Sequence, residues 1–186
     1  MQRKLQSLFD DLEVSRVKIL DTVSALSEDA FIKPIRTGKW SVAQILTHLV
    51  ASEKMSLGYM KKKSLGVETL TNSGMIEDLK LLVLKISQRI PLKYKAPKIL
   101  LERTPPSSSL SEISVQWSNS RIELFEFLNS IEQRNIKKKI YKHPVAGRLD
   151  VTQALQFFKE HVHHHKPQIE RIIRNKNAGK KQKSFE

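Results

Sequence analysis

The sequence predicts an all-α protein, a four-helix bundle with a long crossover and one extra helix. Three observations carry this. Apolar residues recur at threes, fours and sevens over long stretches, as buried helix faces require. Strand-like alternation is nearly absent. The 6 glycines fall mostly between the periodic segments, where helices should end. A chain of 186 residues has room for one ordinary domain and buries a real core without disulfides or a structural metal.

The first helix is expected over residues 2–26, with Leu5, Leu8, Leu12, Ile19, Val23 and Leu26 on one face. Ser27 can cap a short turn, and Pro34 with Gly38 marks a loop. The second helix begins sharply. Ser41 is a good N-cap, and Gln44 three residues on completes a capping box. It should run to about Lys63, followed by a connection over residues 66–74. A third helical stretch, 75–90, is stopped by Pro91. Residues 92–109 hold Pro97, Pro105, Pro106 and three serines, and read as an irregular crossover. The next helix is expected over 110–131, its apolar side made by Ile113, Trp117, Ile122, Leu124, Phe125 and Leu128. Residues 137–147 read as a basic connection containing His143-Pro144. Asp150 is a natural N-cap for the last helix, expected to end near Asn175. One bundle domain is therefore expected over residues 1–175, with a basic, disordered tail over 176–186.

Composition excludes much. With no cysteine, disulfide scaffolds, Cys-type zinc sites, Fe–S clusters and thiol nucleophiles are ruled out, and a reducing cytoplasmic setting is expected. The most apolar run, Leu81 to Leu84, is bounded by Lys80 and Lys85, far short of the ~20 residues of a membrane span. Asp10, Asp11 and Glu13 stand where the apolar core of a secretory leader would lie. Phosphate-loop, dinucleotide-loop and serine-elbow motifs are absent. The net charge of +14 attracts anions. Residues 134–148 carry six Lys or Arg and no acid. These runs read first as a solvated basic face. Nucleic-acid binding is the alternative, though aromatics are not interleaved with the basic residues as single-strand binders prefer.

The six histidines are the most informative feature. In the last helix Val151, Leu155, Phe158, Val162, Ile169 and Ile172 form an apolar stripe, and His165 completes the series. At ~100° per residue His165 falls nearer the stripe centre and His161 toward its edge. His163 and His164 fall more than ~100° away. Two imidazoles one helical turn apart can share a metal ion, or can be satisfied interface histidines. His48, at the edge of the second helix's inner face, is the candidate third ligand. Three His with an open position is a catalytic type of metal site. Imidazole suits zinc, nickel, copper and iron alike.

Three segments are similar to one known family. Trp40-Ser41-Val42-Ala43-Gln44 with His48-Leu49, His143-Pro144 with Gly147 and Leu149, and His161 with His165 and Gln168-Ile169 resemble, in order, the signatures of the DinB/YfiT-like superfamily. The resemblance covers nearly the whole chain. It implies a four-helix bundle of the DinB/YfiT type and one divalent metal ion, zinc or nickel, held by His48, His161 and His165. It also implies a metal-dependent thiol S-transferase or hydrolase acting on a small molecule. The basic surface favours an anionic thiol such as glutathione or bacillithiol. A homodimer is a further expectation.

Glu53 is the candidate catalytic carboxylate, able to orient an imidazole N–H or act as a base. Otherwise it is a surface acid paired with Lys54 or Lys61. Gln44 and Gln168 each lie about one turn from a proposed ligand, although Gln44 already has its capping role. Trp40 and Trp117 suit a core or cavity wall, since indole has one donor and no useful pKa. Pro167, two residues after His165, either kinks the helix to aim that ring or is a tolerated kink near a fraying end. The competing class is a non-catalytic basic helical protein that binds nucleic acid or a protein partner.

Overall fold

The computed structural model describes residues 1–89 and 109–183. The expected crossover lies outside the described residues as far as 108. Among the described residues the order is α1 (Arg3–Ser24), α2 (Glu28–Ile32), α3 (Val42–Ser64), a 3-10 turn (Val67–Thr69), α4 (Met75–Arg89), α5 (Leu110–Ser130), a second 3-10 turn (Gln133–Asn135), β1 (Tyr141–His143), β2 (Gly147–Leu149) and α6 (Val151–Lys183).

Helices α1, α6, α3 and α5 pack in a closed ring, each against the next. They form the four-helix bundle, and α4 is the extra helix, laid against α6 from outside. The helix starts are set as the sequence requires. Ser41 Oγ accepts from Gln44 N at 3.1 Å while Ser41 N donates to Gln44 Oε1 at 2.9 Å, a complete capping box. Ser109 and Glu112 build the same device on α5. Asp150 and Gln153 repeat it on α6, each bonding the other's backbone N–H. Asp150 is fully buried there, and Ser73 and Lys137 face its second oxygen. Gly38 closes the loop before α3 with φ of 75°, a conformation that favours glycine.

Two apolar clusters fill the bundle. One gathers Leu5, Leu12, Leu57, Met60, Leu124, Leu128 and Phe158. The other gathers Ile19, Val23, Ile45, Leu49, Ile113, Trp117, Val162 and Ile169. Glu53 on α3 and Arg121 on α5 fall in the chain between the members of the two clusters, so a polar layer divides the core.

Three expectations need correction. Residues 137–147 are not a plain connection. Tyr141–His143 pairs antiparallel with Gly147–Leu149, with Tyr141 opposite Leu149 and His143 opposite Gly147. Gly147 turns the hairpin's end with φ of 77°. Three-residue strands show only one cycle of alternation, too little to read as a strand. In α5, Ile122 and Phe125 are 58% and 40% exposed, and Ser120 and Arg121 take the inner positions instead. Helix α6 runs through Pro167 and on to Lys183 rather than ending near Asn175. Pro167 is exposed, so the His163 carbonyl it leaves without a helical donor lies on the solvent side.

Candidate metal centre

Three imidazoles converge where α3 meets α6. The capping box fixes the start of α3, and His48 stands two turns in, 6% exposed. On α6, His161 and His165 lie one turn apart, and His165 is 8% exposed. His48 Nε2 is 3.1 Å from His161 Nε2. Ring centroids are 5.0 Å apart for His48 and His161, 5.1 Å for His48 and His165, and 4.9 Å for His161 and His165. One nitrogen from each ring lies within 4.8 Å of the other two. Nitrogens sharing a tetrahedral ion at about 2.0–2.1 Å sit about 3.3 Å apart, so little movement separates this cluster from a ligand set.

The electrostatics suit lone-pair donors. Burial, with the neighbouring imidazole charges, lowers the His48 pKa to about 4 and the His165 pKa to about 3, and takes His161 well below its ordinary value. All three are neutral at pH 7 and carry a free lone pair. Gln168 fixes one tautomer. Its Oε1 lies 3.1 Å from His165 Nδ1, so Nδ1 carries the proton and Nε2 the lone pair. Replacing Gln168 with alanine should weaken divalent-ion affinity about 10–100-fold with little change in melting temperature, read by isothermal titration. An unchanged affinity would show that this contact does not matter.

Aromatic rings wall the cluster. Trp40 lies 5.0 Å from His48 and stacks 6.4 Å from His165. Phe157 stacks on His161 at 5.3 Å, and His143 meets Phe157 edge-on at 4.4 Å. His143 Nδ1 accepts two backbone N–H groups, from Val145 at 3.1 Å and Ala146 at 3.0 Å. Its proton is therefore on Nε2. The hairpin thus braces His161 through the Phe157 ring.

Glu53 is placed otherwise than a surface acid or an imidazole partner. It is 3% exposed, and its oxygens accept from Trp117 Nε1 at 3.0 Å and Arg121 Nη2 at 2.8 Å. Burial pushes its carboxyl above the ordinary range, with Arg121 and Trp117 pulling it back. Gln44 keeps to its cap, and His163 is exposed. Arg121, not among the residues expected on the inner face, fills an inner position between Trp117 and Leu124, as His165 does between Val162 and Ile169. A polar residue completing an apolar stripe was the signal for both.

Acid should destabilise the metal-free protein. His48, His143 and His165 stay neutral when folded down to about pH 4, 4 and 3, but in the unfolded chain they take up protons below about 6.5. The unfolded state then binds more protons, so stability is full above about pH 6.5 and falls as pH drops toward 4. Each group contributes up to ~1.4 kcal/mol per pH unit. At ~2–4 °C per kcal/mol, melting should fall by more than about 5 °C per pH unit in that window. A flat profile between pH 6.5 and 4.5 would contradict the burial of these rings.

The protein is a four-helix bundle in which three neutral imidazoles turn to one point between two helices and could hold a metal ion. The chain belongs to the DinB superfamily, whose family model matches residues 11–169. Its fold is similar to that of YfiT from Bacillus subtilis, described as a probable metal-dependent hydrolase with an unusual four-helix bundle topology. That likeness has a TM-score of 0.63 at 18% identity, and covers 95% of this chain and 90% of the other. No curated protein matches the sequence. Among the described residues no helix is long and apolar enough to cross a membrane.

Proposed function

We propose that the chain is a divalent-metal-dependent enzyme acting on a small molecule, by thiol S-transfer or by hydrolysis, with His48, His161 and His165 as the ligands. The convergence of three neutral imidazole nitrogens carries this reading. A divalent ion, zinc or nickel, held by these three histidines would supply Lewis acidity toward a water or a thiol. The chain's own residues do the rest. Gln168 holds the His165 lone pair toward the cluster, and the hairpin holds the His161 ring by way of Phe157. Trp40 forms an apolar wall beside His48 and His165. The likeness to YfiT supports hydrolysis. Both oxygens of Glu53 are engaged by Trp117 and Arg121, which argues for a reaction that needs no carboxylate base, and thiol transfer is one. The net charge of +14 would steer an anionic substrate, and salt would weaken that steering.

The test offers metal-loaded protein a panel of thiols with a chlorinated aromatic electrophile, and separately a panel of amides and esters. The expected result is turnover in one panel that His48→Ala abolishes while helical content stays. Equal rates for wild type and His48→Ala in both panels would overturn the reading. Salt-sensitive DNA binding by a metal-free protein would favour the binding-protein alternative.

A further inference from the structure

Helix α4 is apolar on two opposite sides. Leu81 and Leu84 face α6 and are buried. On the other side Met75, Ile76, Leu79, Leu82, Val83 and Ile86 are 88%, 67%, 61%, 52%, 58% and 52% exposed. At 100° per residue these six fall within an arc of about 120°, nearly opposite the buried pair. They leave roughly 700 Å² of side chain open, more than the largest apolar patch of about 300–600 Å² on a typical monomer. A helix apolar on both sides is normally covered on both.

We propose that this stripe is the interface of a homodimer, with α4 of one copy packed on α4 of a second. The spacing argues for a helix as occupant. Met75, Leu79, Leu82 and Ile86 follow one another at four, three and four residues, and Ile76 and Val83 repeat at seven. That is the seam by which two helices pack side by side over about 16 Å. The area is close to the ~800 Å² that each partner of a standard interface contributes. Charge argues for a second copy. The chain carries +14, so two copies repel over most of their surface. None of the segment's charged residues, Glu77, Asp78, Lys80 and Lys85, falls within the arc of the six apolar side chains, and Glu77 is buried against Lys139. This is a face on which two like-charged copies can meet. A lipid surface fits less well, because the segment has no aromatic residue and no excess of basic ones, both of which membrane-surface helices use.

Sedimentation equilibrium of the full chain, at about 2–200 μM and at low and high salt, tests the proposal. The expected result is a monomer–dimer equilibrium that tightens as salt screens the mutual repulsion. Leu79→Glu should weaken it at least about tenfold, and so should the milder Leu79→Ala/Leu82→Ala pair, which keeps good helix formers in place. Both positions are exposed, so the monomer's helical circular dichroism should be retained. A wild type that is monomeric at every concentration overturns the proposal, and so does one that is monomeric but floats with anionic vesicles. A dimer untouched by both variants places the interface elsewhere and overturns it equally. A monomeric wild type whose melting temperature falls in Leu79→Glu would show the stripe covered by the chain's own residues, again overturning it.

Discussion

Replacing His161 with alanine should give a folded bundle that no longer retains a divalent ion. The wild type, purified without a polyhistidine tag, is expected to hold about one ion per chain, and added metal at about 100 times its Kd should stabilise it by about 2.7 kcal/mol. His161 Nε2 faces His48 Nε2 at 3.1 Å, and removing it leaves two imidazoles where three converge. The loss in affinity should exceed the 10–100-fold that follows from removing a supporting hydrogen bond. The metal-dependent rise in melting temperature should vanish with it. Without metal, variant and wild type should melt within about 5 °C of each other, because the helix stripe around Val162 and Ile169 is intact. His163→Ala, at an exposed position on the same helix, is the control and should bind as wild type does. A His161→Ala protein that still takes up the ion with wild-type affinity would move the site elsewhere.

Arg121→Ala should be among the most destabilising single changes in the chain. Arg121 is 2% exposed and Glu53 3%, and they meet at 2.8 Å in the layer between the two apolar clusters. Glu13, held by Arg16, lies 3.6 Å from the other side of the guanidinium. Removing the arginine leaves a buried carboxylate whose charge has lost its partner, at a cost of about 3–5 kcal/mol. At ~2–4 °C per kcal/mol the melting temperature should drop by about 6–20 °C. Replacing both Glu53 and Arg121 by methionine should cost less than either single change, because no unpaired charge is then buried. A loss below about 1 kcal/mol for Arg121→Ala would mean that water already solvates the pair.

The helices that make the bundle are legible in the spacing of their residues. Ser41 with Gln44 set the start of α3, and the stripe from Val151 to Ile172 set the inner face of α6. The polar residue completing that stripe, His165, is one of the three clustered imidazoles, and its inward phase is legible because helical phase is a local property that spacing reports directly. His48 was legible from its motif together with its place at the edge of an inner face. The remaining features depend on packing between segments distant in the chain. Whether Glu53 turns to an imidazole or to Arg121 depends on how α3 and α5 are rotated against each other, and 68 residues separate that pair. The hairpin needs the backbone of residues 141–149 to pair with itself beneath α3, and three residues per strand are too few to show a period. The outward stripe of α4 has the same helical spacing as a core face. Spacing names the faces of a helix, but only the packed neighbours say which of two apolar faces is already covered.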